Sequence, residues 1–280
     1  MVKIMYEEYD NETLNHLRKV ELMILEDFIE ICEKNNLEYF SYGGTTLGAI
    51  RHGGFIPWDD DIDVIMFRED YEKFLTIMEN EKSGKYEILN MDKYEDYFLL
   101  ISKMSLNGTK IDEMWTKNTS FDVGINIDIF VLDYAPSNKV KWFIFHKKCE
   151  FLKDFSYMLM IFKNDYYASK PKKIMGYIIK IIFKIFGLSR NTLYNRYNKL
   201  IKKSRQYNDF VYDFYALSYS KPFPKSIFRP LKKVKFEDIE INVPNDVDSF
   251  LTRIYGDYMT PPPEDERFNH FREDIDFGDY

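Results

Sequence analysis

Apolar side chains recur at intervals of three and four along residues 12–34, with Leu14, Leu17, Val20, Ile24, Phe28 and Ile31 on one stripe, and this spacing predicts an amphipathic helix. Asn11 stands where a short polar side chain can accept a free N–H of the first turn, so it is the expected cap. The period then changes. Residues 37–42 read as a short strand running into Gly43-Gly44, and residues 45–50 as a short helix. At Asp61 to Val64 polar and apolar positions alternate, which places Asp61 and Asp63 on one face of a strand and Ile62 and Val64 on the other. Residues 68–80 return to helical spacing through Tyr71, Phe74, Leu75 and Met78. Strands are predicted over 86–89 and 98–104, the second followed by the turn pair Asn107-Gly108. Another covers 124–133, where Ile125, Ile127, Ile129 and Val131 alternate with Asn126, Asp128 and Phe130. Asp133 is expected to cap a turn before Pro136. Long helices follow over 139–163, 171–186 and 190–206, then a hairpin over 234–243 turning at Glu237-Asp238, and a last helix over 246–255 ended by Gly256.

This order of elements predicts an α/β (α+β) fold, a sheet flanked by helices with a basic helical subdomain inserted. The expected division is a core over 1–138, the helical part over 139–210 and a segment over 211–280 that returns to the core. With 280 residues, 45% hydrophobic and 18% aromatic, the chain can bury a sizeable core. Its net charge of -7 hides an asymmetry, because residues 139–205 hold 17 Lys and Arg against 3 Asp and Glu. No recognition motif accompanies that charge, so a nucleic-acid reader is not indicated. Within it, the helix over 171–186 carries Lys173, Tyr177, Lys180 and Lys184 on one face and isoleucines on the others. It is too short and too charged to span a bilayer. Lying on an anionic membrane surface and packing in protein with lysines outward both fit the pattern. Cys32 and Cys149 cannot form a disulfide framework and read as buried residues. The start, MVKIMYEEYDNETL, is acidic where a secretory signal needs a basic flank and an apolar run. A cytoplasmic protein is expected, at the inner face of the cell membrane if the basic helices meet it.

The chemistry concentrates in residues 42–66, YGGTTLGAIRHGGFIPWDDDIDVIM. Gly43-Gly44 permits a positive φ and close approach of backbone to a ligand, and a helix starting there turns free N–H groups toward the bend, which suits a phosphate. A plain strand-to-helix turn is the alternative. Asp59, Asp60, Asp61 and Asp63 crowd four carboxylates into five residues. Two carboxylates about 6 Å apart at an effective dielectric of roughly 20 repel by about 3 kcal/mol. A divalent cation reverses that sign, and oxygen ligands favour Mg2+ or Mn2+ over zinc; a solvated acidic turn is the other reading. Asp128 is a lone carboxylate in an apolar strand and needs a cation, a hydrogen-bond network or cleft solvent. Arg51 and His52 follow the bend, and an arginine can hold two phosphate oxygens, although one on open surface fits equally. His270, in the acidic tail, is either a ligand contact or a solvated side chain.

The string GGTTLGAIRHGGFIPWDDDID, with KMSLNGT, IDIF and finally YGDYMTPPPEDER and His270, resembles the LicD family, which includes bacterial phosphocholine transferases and is related to fukutin and fukutin-related protein. Thr46 and Val131 depart from the family's usual leucine and proline. The resemblance implies a nucleotidyltransferase-like mixed sheet flanked by helices, with Asp61, Asp63 and Asp128 as the catalytic, metal-holding carboxylates. It further implies substrate contacts from Gly43, Gly44, Thr45, Arg51, His52, Asp59, Asp60, Lys103 and His270. The implied reaction takes a phosphorylated alcohol from CDP-choline or a similar CDP-alcohol, with Mg2+ or Mn2+, places it on a glycan or teichoic acid precursor, and releases CMP. The rival expectations are nucleotidyl transfer, which would release pyrophosphate, and a non-catalytic scaffold of polysaccharide assembly.

Overall fold

The computed structural model describes residues 9–112, 116, 119–163, 174, 177–178, 181–182, 184–187, 189–214, 221–267, 269 and 274–280. Helix α1 spans Asn11–Lys34 and is capped by Asp10, whose carboxylate accepts from the N–H groups of Glu12 and Thr13, so the cap lies one residue before the expected Asn11. Strand β1 (Tyr39–Ser41) leads into α2 (Gly43–Arg51), which begins at the glycine pair itself rather than after it. Then come β2 (Asp63–Phe67), α3 (Arg68–Asn80), β3 (Tyr86–Leu89), β4 (Ser102–Leu106), β5 (Lys110–Asp112) and β6 (Asn126–Ala135). The strand expected over 98–104 starts four residues later, since 98–101 belong to the loop before it.

The basic half contributes α4 (Lys139–Lys163) and α5 (Arg190–Ser204). The chain closes with β7 (Phe210–Asp213), β8 (Phe223–Pro224), the hairpin β9 (Lys232–Phe236) and β10 (Ile239–Val243), α6 (Val247–Tyr255) and β11 (Asp274–Asp276). Glu237 turns the hairpin at φ 52°, and Gly256 ends α6 at φ 71°.

The main sheet is mixed, ordered β1-β2-β6-β4-β3. β2 and β6 are parallel and the other pairs antiparallel. At ten residues, β6 is long enough to hold β4 along its first half and β7 along its second, on the edge opposite β2. The predicted alternation appears as two cores. Ile62, Val64, Ile127 and Ile129 point to the face covered by α1 and α3, where Leu17, Ile24, Phe28 and Phe74 pack. Ile65, Phe67, Phe130 and Leu132 point to the other, covered by Trp142, Phe145 and Cys149 of α4, Leu193 of α5 and Phe250 of α6. Side chains from all three expected segments therefore share one apolar cluster. Cys32 and Cys149 are both buried, as expected.

One expectation is corrected. Asp133 caps no turn; it lies inside β6 opposite Tyr212 of β7 and binds the guanidinium of Arg68 through both oxygens, at 2.8 and 2.7 Å. The alternating pattern extends two residues beyond 133, so β6 carries this carboxylate into the core with its partner.

Candidate active site

The carboxylates meet near the starts of β2 and β6, beside the first turn of α2. β2 and β6 run parallel with Asp63 directly beside Asp128, and the Asp128 N–H donates to the Ile62 carbonyl at 2.9 Å. Two segments separated by more than sixty residues thus bring their carboxylates to adjacent strands, whose spacing is about 4.8 Å. Both continue the face that carries Ile65, Phe67, Phe130 and Leu132, but at these end positions they remain partly open. Asp61 and Asp59 are also partly open, whereas Asp60 is fully buried.

The glycine bend is fastened to this point. Tyr42 donates its N–H to the Asp63 carbonyl at 3.0 Å, and the Asp63 N–H donates to Thr45 Oγ1 at 2.8 Å. A Cβ at Gly43 would come within 2.9 Å of Asp63 Oδ2, and one at Gly44 within 2.5 Å of Asp59 Oδ2. Only glycine lets the first turn of α2 lie against two carboxylates. Thr46, in place of the usual leucine, is buried and its hydroxyl is paired with Ser41 Oγ at 2.9 Å.

Gly43 also has φ +49°, which costs a non-glycine residue about 1–2 kcal/mol. Gly43→Ala is expected to lower thermal stability and, by displacing Asp63, to remove activity. Gly53→Ala, at φ +73° with nothing within 4 Å, is expected to lower stability alone. Melting curves and a transfer assay on both variants separate backbone strain from crowding of the carboxylate.

Charge is unevenly compensated. Lys103 on β4 sits opposite Asp128 and donates to its Oδ1 at 2.7 Å and to Asn126 Oδ1 at 3.2 Å, with both partners of the ion pair largely buried. Asp63 has its carboxyl pKa pushed well above the ordinary range, first by burial and then by the charges of Asp61, Asp128 and Asp59, with Lys103 working the other way. Among the described residues no three His, Cys, Asp or Glu side chains form a ligand set, and Asp128 is paired with Lys103. The donor chemistry nevertheless suits a hard divalent cation: the charges of Asp61, Asp128 and Asp59 all act on Asp63, and such repulsion between oxygen donors is what a cation relieves.

A cationic wall borders the same bend. Arg51 donates to the Tyr258 carbonyl at 2.8 Å and to His52 Nε2 at 2.9 Å. Partial burial and the neighbouring arginine lower the His52 pKa, which matches a ring accepting through Nε2. Arg51 and Arg267 both lie over the Trp58 ring, at 6.0 and 4.8 Å from its centroid. His270 falls outside the described residues.

Reading the sequence missed two participants. Arg18 of α1 donates to the carbonyls of Ile56, Pro57 and Asp59 and so fastens the acidic loop. Tyr255, at the end of α6, has its hydroxyl pKa raised by burial and by Asp63, Asp59 and Asp61. Neither carries a local signal, because each reaches the site only through tertiary packing; the LicD-like tail string around Tyr255 was the one available hint.

Residues 36–167 match the sequence family described as LicD/FKTN/FKRP, nucleotidyltransferase domain. Over 267 residues the chain is 31% identical to the lipopolysaccharide cholinephosphotransferase LicD of Haemophilus influenzae, covering 93% of this chain and 97% of that one. The chain belongs to the LicD family. A shorter LicD-family match, 43% identical over 42 residues, joins it to the human ribitol 5-phosphate transferase FKRP, over 15% of this chain and 8% of the human protein. At 93% of this chain, the long match takes in both the carboxylate strands and Tyr255 beside them.

Proposed function

We propose that this LicD-family phosphotransferase moves a phosphorylated alcohol, phosphocholine first, from a CDP-linked donor to a hydroxyl of a cell-surface glycan or teichoic acid precursor, releasing CMP. The observation that carries the reading is the parallel register that sets Asp63 beside Asp128, under a glycine bend too tight for any side chain. The H. influenzae relative is named for cholinephosphate transfer and the human one for ribitol 5-phosphate transfer, which supports a phosphorylated alcohol as the group moved.

In this reading Asp61, Asp63 and Asp128 hold Mg2+, with Mn2+ as a substitute. A bound divalent ion neutralises the donor's diphosphate and the departing CMP. The chain's own groups do the rest. The free N–H groups at the start of α2 and the cations Arg51 and Arg267 line up with phosphate oxygens. Lys103 holds the Asp128 carboxylate in place through its 2.7 Å bond. A carboxylate of the cluster accepts the acceptor's proton as its oxygen attacks phosphorus in line with the leaving CMP. The acceptor is lipid-linked, and the enzyme works at the inner face of the cell membrane.

Incubation with CDP-choline, CDP-ribitol, CDP-glycerol and CDP-ethanolamine in Mg2+ is expected to release CMP from one of them, CDP-choline first. Pyrophosphate from a nucleoside triphosphate would indicate nucleotidyl transfer instead. No release from any donor, with no Mg2+ or Mn2+ bound in titration, would point to the scaffold.

A further inference from the structure

Two stretches of the basic half, within 174–185 and on the outer side of α4, expose apolar residues of a kind a helix ordinarily buries. Ile174, Tyr177, Ile178, Ile181, Ile182 and Ile185 recur at intervals of three and four, so they form one stripe, and each is between 42% and 72% exposed. Lys184 lies beside the stripe; Lys173 and Lys180, expected to flank it, fall outside the described residues. Helix α4 repeats the pattern. Its inner face buries Trp142, Phe145, Cys149 and Leu152 against the sheet, while Val140, Phe143, Ile144 and Phe151 are 50–68% exposed on the opposite side. The expected alternative of a helix packed in protein with lysines outward does not describe these residues, because it is the isoleucines that face out.

Charge decides what covers such a face. Residues 139–205 carry +14, while the rest of the chain carries -21. A second copy laid on this face would bring two such basic segments together, which opposes self-association. An anionic surface is complementary in both respects, since it offers an apolar layer below and phosphates above. Among the described residues no helix is long and apolar enough to cross a membrane, so the contact is one of lying on the surface.

We propose that this face docks on an anionic bilayer, with the isoleucine stripe and Phe143, Ile144 and Phe151 entering the headgroup region and the flanking lysines meeting lipid phosphates. Docking is independent of the carboxylate site, which lies on other elements.

The test is sedimentation of the full chain with phosphatidylglycerol vesicles and, separately, with pure phosphatidylcholine vesicles. At low salt most of the protein is expected to sediment with phosphatidylglycerol and little with phosphatidylcholine. Adding 0.5 M salt, and separately the double change Ile178→Asp/Ile182→Asp, are each expected to reduce binding at least tenfold. Both positions are exposed, so the fold tolerates the change, which circular dichroism checks. Absence of phosphatidylglycerol binding overturns the proposal, as does binding that the aspartates leave unchanged, or a dimer in sedimentation velocity that the aspartates dissolve. CMP release from a free donor reads the carboxylate site alone, so failure of docking and failure of the transfer reading are told apart.

Discussion

Asp63→Asn is expected to abolish transfer, by 10²–10³-fold or more, and at the same time to make the metal-free protein more stable above neutral pH. The two effects share one cause. Asp63 stands beside Asp128 on the neighbouring strand with Asp61 and Asp59 nearby, and its pKa is raised well above the ordinary carboxylate range by burial and then by those charges. A carboxyl whose folded pKa is raised binds its proton more tightly in the native state than in the unfolded chain. Stability therefore falls as pH climbs from the ordinary carboxylate range through the raised pKa, and above that the full penalty applies. Two carboxylates about 5 Å apart at an effective dielectric of roughly 20 repel by about 3 kcal/mol. Lys103 and solvent reduce this, so a net gain of about 1–2 kcal/mol is expected for the amide. Melting temperature of the variant should exceed that of the parent by a few degrees at pH 8, and the two should converge near pH 4. Mg2+ should raise the parent's melting temperature at pH 8 and leave the variant's unchanged. An Asp63→Asn protein that still transfers, or that melts lower than the parent at pH 8, would remove the carboxylate cluster from the mechanism.

Asp128→Asn should differ in sign. Its carboxylate already has a cation, and Lys103 is only 7% exposed, so the amide leaves a buried ammonium without its counter-charge. Two neighbouring aspartates thus differ in balance, Asp63 repelled by the carboxylates around it and Asp128 paired with Lys103 within the fold.

How much of this was legible in the sequence follows from the range over which each signal acts. The period-2 pattern of Ile125 to Val131 identified both faces of β6 correctly, because side-chain alternation is a property of a single strand. The same alternation set Asp63 and Asp128 each on the face of its own strand away from the isoleucines but could not fix which residue lies beside which, since register depends on the pairing of separate segments. Arg18 looked like one charge among many on an amphipathic helix, yet it closes the loop of residues 56–59. The outward isoleucines of residues 174–185 read equally well as buried or interfacial, because a helical stripe says which residues share a face and nothing about what covers it. Asp133 was misread because its partner, Arg68, opens a helix 65 residues earlier in the chain, and nothing in the spacing of either segment shows that pairing.

That pair carries the second large effect. Arg68 is the first residue of α3 and binds Asp133 through two guanidinium nitrogens, Nε and Nη2, with the side chains 8% and 1% exposed. The Tyr197 hydroxyl lies 3.4 Å away and the Tyr71 ring 5.2 Å away, so α3, β6 and α5 meet at one buried charge pair. Burial alone would lower the arginine's pKa, but Asp133 outweighs it and holds the guanidinium charged. Removing either partner leaves an uncompensated buried charge, and Arg68→Met or Asp133→Leu should each cost about 3–5 kcal/mol. The double variant removes both charges at once and should recover most of that loss, since replacing a whole buried pair with apolar groups is often near neutral. Arg68 follows the far end of β2, about 13 Å along the strand from Asp63, so transfer per folded molecule should be unchanged in all three proteins. Urea unfolding at pH 7 measures the cycle. Single variants that cost under about 1 kcal/mol would make the pair dispensable. A double variant as unstable as the singles would show instead that the shape of this junction, and not its charge balance, fastens α3 and α5 to the sheet.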